Sequence, residues 1–221
     1  MKPKILIFDI NETLLDLSSL KKGVNLALKN EMGFDLWFPK LLHYSVVESI
    51  TDNYCNFSQI AAATFKMVAK KFEKELSDLE IKEILSIISF LPAYPDVKPG
   101  LEQLKNSGYK LIAYSNGKPD VLKAQLKYAQ IDSFFDGIHS VEETGNYKPS
   151  PNSYRYILDI YKISPENALM VAAHSWDIMG AQRSGLQSCY VERPGKSFYE
   201  LAEKPTYTIG KITELLRNIQ V

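Results

Sequence analysis

The chain has 221 residues, 45% hydrophobic and 24% charged, which suits one large domain or a core with a smaller insert. Lys+Arg and Asp+Glu balance at 26 each, so no dominant nucleic-acid-binding or anionic-membrane surface is expected. The two cysteines, Cys55 and Cys189, lack metal-type spacing and read as free thiols of a reducing compartment.

The first apolar run is KILIF at residues 4–8. Its unbroken stretch, Ile5–Phe8, is too short for a signal peptide or a membrane span, and it predicts a buried parallel strand. A soluble, cytoplasmic protein is expected. Residues 17–91 then look helical throughout. Phe57, Ile60, Ala61 and Thr64 share one helical face; so do Ile81, Ile84, Leu85 and Ile88, opened by a capping box, Ser77-x-x-Glu80. "LPAYPDVKPG" follows, with three prolines and a glycine, and reads as a linker or hinge.

Beyond it strands and helices alternate. Lys110–Tyr114, Ala168–Ala172 and Ser188–Val191 are predicted strands, with weaker candidates at Gly137–Ser140 and Thr206–Ile209. "DVLKAQLKYA" carries Leu122, Leu126 and Ala129 on one face. "SPNSYRYILDIY" opens with Ser150 as N-cap and Pro151 in the first turn, and places Tyr154, Ile157, Leu158 and Tyr161 on one face. The pattern predicts an α/β fold: a doubly wound, Rossmann-like parallel sheet (residues 1–15 and 93–221) with a helical cap inserted after the first strand (residues 16–92).

Four polar clusters fall at or just beyond predicted strand ends: Asp9 to Thr13, Ser115-Asn116-Gly117, Lys148, and His174 to Asp177. In an open α/β sheet that edge is where ligands bind, and a cap would cover it. Each cluster alone is ordinary. Their joint occurrence in this order is the signal.

The pieces FDINETLLD, LIAYSNGKPDVL, SVEETGNYKPSPNSY, SWDIMGAQRSGL and CYVERPG resemble the haloacid dehalogenase superfamily, and within it the L-2-haloacid dehalogenases. The resemblance covers nearly the whole chain. It implies that Asp9 is a nucleophile, which fits a carboxylate's capacity to form an ester that water then cleaves. Lys148 would lie beside Asp9 and keep it ionised, with Asp177 holding Lys148. Thr13, Ser115, Asn116 and the backbone N–H groups after Asp9 would bind the substrate's carboxylate and the oxygens of Asp9. Tyr154 matches a pocket tyrosine of the family, although it also fits the buried stripe of its helix.

Two departures carry information. Phosphatases of the superfamily use Asp-x-Asp, whose second acid protonates a leaving oxygen, and they bind Mg²⁺. Here the second position is Asn11, and an acidic position after the strand ALMVA falls at Ala173. A carbon–halogen bond needs neither acid nor metal, because halide leaves without a proton. The second departure concerns Asn11-Glu12-Thr13, where the dehalogenases resemble Tyr-Gly-Thr, and Ala172-Ala173-His174, where they resemble Ser-Ser-Asn. A carboxylate and an imidazole appear in facing loops. Glu12 is expected to orient His174, and His174 to take a proton from the water that attacks the Asp9 ester. The alternative is that His174 merely replaces an asparagine as a hydrogen-bonding group.

The family's cap arginine, which helps bind the departing halide, falls at Phe38. Trp176 and Asn116 would remain on that side, with Lys40 or His43 as compensating groups from the same helix. The expected activity is hydrolysis of short 2-haloacids through an Asp9 ester, with no metal or cofactor. A phosphatase with altered acid/base chemistry and a catalytically impaired binding protein are the alternatives. The expected partner is a small-molecule 2-haloacid, without nucleic acid or membrane; a homodimer is left open.

Overall fold

A computed structural model describes residues 2–220. Among them six strands form one parallel sheet: β1 (Ile5–Phe8), β2 (Lys110–Ser115), β3 (Gly137–Ser140), β4 (Ala168–Ala172), β5 (Gln187–Val191) and β6 (Tyr207–Ile209), in the order β3-β2-β1-β4-β5-β6. The two central strands, β1 and β4, are buried along their whole length, which is why they read as unbroken apolar runs. Phe8 pairs with Ala113 of β2 on one side and Val171 of β4 on the other, and the Asp9 N–H donates to the Val171 carbonyl at 3.0 Å. The strand order reverses between β1 and β4. The crevice at their carboxyl ends is therefore the topological switch point where such sheets bind ligands.

Between β1 and β2 the chain forms α1 (Ser18–Leu28), α2 (Gly33–Ile50), α3 (Phe57–Lys71), α4 (Asp78–Ser86) and a 3-10 turn at Ile87–Phe90. Both capping boxes are closed. Glu80 accepts from the Ser77 N–H at 2.7 Å, and the Asn56–Gln59 pair does the same for α3. Phe34, Trp37, Phe38 and Phe65 pack edge-to-face or stacked at ring separations of 5.2–6.0 Å, and the Trp37 indole donates to the Ala61 carbonyl at 3.0 Å. The outgoing and returning chains cross side by side: Leu15 bridges Ala93, and the Asp16 N–H donates to the Pro92 carbonyl at 2.9 Å.

Helices α5 (Val97–Asn106), α6 (Pro119–Tyr128), α7 (Pro151–Tyr161), α8 (Ser175–Arg183) and α9 (Leu215–Ile219) complete the sheet's cover. The linker reading of LPAYPDVKPG holds only for Leu91–Asp96, because α5 begins at Val97. Pro99 sits in the first turn, where a missing N–H costs no intrahelical bond. Gly100 is required by packing: a Cβ there would lie 2.6 Å from the Ile212 side chain. Ser150 takes the N-cap position of α7, but its side chain makes no capping hydrogen bond. Cys55 and Cys189 are both free thiols. No helix among the described residues is long and apolar enough to cross a membrane.

Candidate active site

Asp9 follows β1 directly and is 5% exposed. Its Oδ1 accepts from Lys148 Nζ at 3.0 Å. Its Oδ2 accepts from the Thr13 hydroxyl at 2.7 Å and lies 3.2 Å from His174 Nδ1. Thr13 is itself fixed, accepting from the Ala173 N–H at 2.9 Å. Lys148 is fully buried and spends all three ammonium protons: on Asp9, on the Tyr114 carbonyl at 3.2 Å, and on Asp177 Oδ2 at 2.6 Å. Asp177 stands in the first turn of α8, where the helix dipole favours an anion.

On the other side of Asp9, His174 Nε2 lies 2.9 Å from Glu12 Oε2, and Lys196 Nζ donates to the same oxygen at 2.6 Å. The result is one row of alternating charge through the crevice: Asp177, Lys148, Asp9, His174, Glu12, Lys196. Burial opposes ionisation of Asp9, yet Lys148, His174 and Thr13 outweigh it and hold its carboxyl far below the usual carboxylate range. Burial would likewise lower the Lys148 ammonium, but Asp177 and Asp9 overcome it and raise it. For His174 the penalty of burial is exceeded by hydrogen bonds and attraction from Asp9 and Glu12, which push the ring up to about 9. His174 is therefore an imidazolium at neutral pH, donating from both nitrogens. While Asp9 is a free carboxylate, the ring holds a proton on each nitrogen and has no lone pair to offer.

The remaining expected residues fall in several different places. The Tyr154 hydroxyl donates to Asp177 Oδ1 at 2.6 Å and the side chain is buried, so it backs Asp177 instead of lining a pocket. The Asn116 amide closes on the Lys148 backbone, accepting from its N–H at 2.9 Å and donating to its carbonyl at 3.3 Å. It clasps the lysine loop where a free halide donor was expected. Ser115 Oγ accepts from the Gly117 N–H at 3.0 Å and its hydroxyl proton has no acceptor among the described residues. The Glu12 N–H is committed to the Leu15 carbonyl.

Asn11 and Phe38 share a small, mostly apolar cavity of about 70 Å³ with Leu41, Phe57, Lys118 and Gln125. Gln125 donates to Asn11 Oδ1 at 2.8 Å and to the Ile88 carbonyl at 3.0 Å, so it ties the loop after β1 to the helical insert. Trp176 is not in that cavity. Its ring stacks on His174 at 5.1 Å and lines a second cleft with Pro39, Leu42, His43, Val46, Lys148 and Pro149. Lys40 and His43 do not line the Phe38 cavity either; α2 turns them to another face.

Sequence reasoning missed Lys196, Gln125 and Arg193. Arg193 is buried two residues beyond β5. Its Nε donates to the Thr13 carbonyl at 2.9 Å, it pairs with Asp96 at 2.7 Å, and it lies over the Tyr94 ring at 4.2 Å. An arginine closing an otherwise apolar strand was the one available signal.

The family profile described as haloacid dehalogenase-like hydrolase matches residues 3–185. The chain belongs to the haloacid dehalogenase-like hydrolases. It is 31% identical over 216 residues to (S)-2-haloacid dehalogenase 4A of Burkholderia cepacia, covering 95% of this chain and 91% of the relative. It is 28% identical over 219 residues to (S)-2-haloacid dehalogenase 2 of Pseudomonas sp. strain CBS-3, covering 95% and 92%. In fold, this hydrolase superposes on L-2-haloacid dehalogenase from Xanthobacter autotrophicus, solved with chloropropionic acid covalently bound, with a TM-score of 0.92 over 99% of this chain and 98% of that one, at 22% identity.

The fold also superposes on YfnB from Bacillus subtilis, solved bound to magnesium (TM-score 0.78, 20% identity), so the donor set here is a direct test. A hard cation needs several free oxygen ligands. Each Asp9 oxygen already faces a protein cation that would repel a second one, Asn11 Oδ1 is taken by Gln125, and Ala173 offers no side-chain oxygen. Among the described residues no group of three His, Cys, Asp or Glu side chains could hold a metal ion. The residues of this site do not fit Mg²⁺.

Proposed function

We propose that the protein is a metal-independent (S)-2-haloacid dehalogenase acting on short 2-haloalkanoic acids. The observation that carries the reading is the buried, ionised Asp9, flanked by two cations, with Asn11 standing where a phosphatase would need an acid. Asp9 Oδ1, which accepts one hydrogen bond against two at Oδ2, keeps a lone pair for attack. It displaces halide from C2 with inversion; the C–X bond breaks and the halide leaves with the electron pair. The Ser115 hydroxyl holds the substrate carboxylate.

Ester formation removes the negative charge of Asp9. His174 then loses one of the two anions that hold its proton, and its affinity for that proton falls. The proton on Nδ1, the nitrogen that faces Asp9, passes to solvent, while the Nε2–H stays on Glu12. The neutral ring can now take a proton from water as the water's oxygen attacks the Asp9 carbonyl carbon. The acyl–oxygen bond breaks, the ring gives that proton to the departing alkoxide so that the 2-hydroxyacid leaves, and the carboxyl proton left on Asp9 returns to His174, which restores the carboxylate. The base is thus armed by the first half-reaction, and Glu12 holds it in place throughout.

Residues 16–92 act as the cap over this chemistry and residues 1–15 and 93–221 as the core, with the division at the Leu15–Ala93 bridge. The free thiols suit a cytoplasmic setting. An apolar face on the helical cap is the candidate surface for a homodimer.

The test is halide release from (S)-2-chloropropionate in the presence of EDTA, with single turnover in ¹⁸O water. Label entering Asp9 is the expected result. Release that requires Mg²⁺, or absence of label from Asp9, refutes the proposal, and hydrolysis of an aryl phosphate would replace it with a phosphatase.

A further inference from the structure

We infer that Lys118 supplies the positive charge on the leaving-group side of the site, where Phe38 cannot. The inference rests on the displacement chemistry proposed above. A nucleophile attacking from the carboxyl end of β1 drives the leaving group away from the sheet, toward the helical insert. One cavity on that side, which reaches the loop after β1 at Asn11, is walled by Phe38, Leu41 and Phe57, which suits a large, weakly hydrated halide but gives it no countercharge.

Lys118 is the one cationic side chain lining that cavity. It is half-buried, it caps α6 ahead of Pro119, and its ammonium has no hydrogen-bond or ion-pair partner among the described residues. Every cation in the charge row is already committed to a carboxylate; Lys118 is not. Two neighbours complete the arrangement. Gln125 holds Asn11 by its oxygen, which leaves the Asn11 Nδ2 without a partner beside the cavity. Gln125 lines the same cavity, and its Oε1 is buried without a donor. A buried acceptor without a donor is costly. An ammonium turned into the cavity satisfies Gln125 Oε1 and meets the halide together with the Asn11 N–H. The carbon–halogen bond then breaks toward a cation, and the halide leaves as an ion pair instead of a bare anion in an apolar wall.

The test reads binding, not turnover. In a Trp176→Phe background Trp37 is the remaining tryptophan, and its ring lines the cavity. Bromide should quench it saturably. Lys118→Met should weaken bromide binding at least tenfold, and Lys118→Arg should largely restore it. Acetate should not share this dependence. Because Lys118 is half-buried and unpaired, the variants are expected to unfold at the parent temperature. In turnover, Lys118→Met should lower kcat/KM more for 2-chloropropionate than for 2-bromopropionate. Absence of saturable bromide binding, or binding unchanged in Lys118→Met, overturns the inference. Acetate binding with the same loss in Lys118→Met also overturns it, by making Lys118 a carboxylate site. Loss of bromide binding in Lys118→Met without ¹⁸O label in Asp9 would leave the anion site standing and remove the dehalogenase reading.

Discussion

Replacing Asp9 by Asn should neutralise His174 near physiological pH. The amide imitates the uncharged acyl group of the ester while keeping the shape of the side chain. In the native protein Asp9 Oδ2 is 3.2 Å from His174 Nδ1 and Glu12 Oε2 is 2.9 Å from Nε2, and the ring titrates at about 9. A charge pair about 4 Å apart in surroundings of effective dielectric about 20 is worth about 4 kcal/mol, or close to 3 in pKa. The Asn carbonyl dipole retains part of that, so the expected fall is about 2, to a pKa near 7. The assay is an NMR titration of the imidazole carbons. The chain has three histidines, and His174→Asn assigns the signal. A His174 that titrates within about 0.5 of its native value in Asp9→Asn, or that is already neutral at pH 7 in the native protein, would refute the idea that alkylation arms the base.

The same pairing makes stability depend on pH. A folded-state pKa raised from 6.5 to about 9 gives stability that is full below 6.5 and lost as pH rises through 9. Urea unfolding should show a loss of about 3 kcal/mol across that window, absent in His174→Asn. Lys148→Met strands Asp9 and Asp177 without their shared cation and should cost about 3–5 kcal/mol in the same assay; a loss under about 1 kcal/mol would contradict the charge row. Arg193→Lys removes the Nε donor to the Thr13 carbonyl, so kcat should fall with KM unchanged, because Arg193 stands behind Thr13 and off the cavity. Gly100→Ala should destabilise by about 1–3 kcal/mol through its clash with Ile212, and Ile212→Ala in the same chain should recover part of the loss.

What the sequence disclosed depended on how local the cause was. The ends of β1 and β4 were legible because buried parallel strands are apolar runs, and a polar residue at the end of one stands out at Asp9 and His174. Helix α5 was obscured at its start, since Pro99 and Gly100 look like breakers until the first-turn position of one and the close approach of Ile212 to the other are known. Lys196 and Arg193 reach Glu12 and Thr13 from 184 and 180 residues away, by contacts with no periodic signature. Asn116 and Tyr154 could be named, but not where their hydrogen bonds go: the amide turns to the Lys148 backbone and the hydroxyl to Asp177. The charge state of His174 was hidden for the same reason. It follows from having two carboxylates at hydrogen-bond distance, which only folding brings about.

Glu12 has a backbone φ of +60°, a left-handed conformation that costs a residue with a Cβ roughly 1 kcal/mol and costs glycine almost nothing. The loop after β1 therefore behaves as a socket whose shape does not depend on the side chain plugged into it. A change at a single codon can fit or withdraw the acid that seats the imidazole, leaving Asp9 and Thr13 where they are. The acid beside the imidazole is thus carried at a small conformational toll and not by a rebuilt backbone.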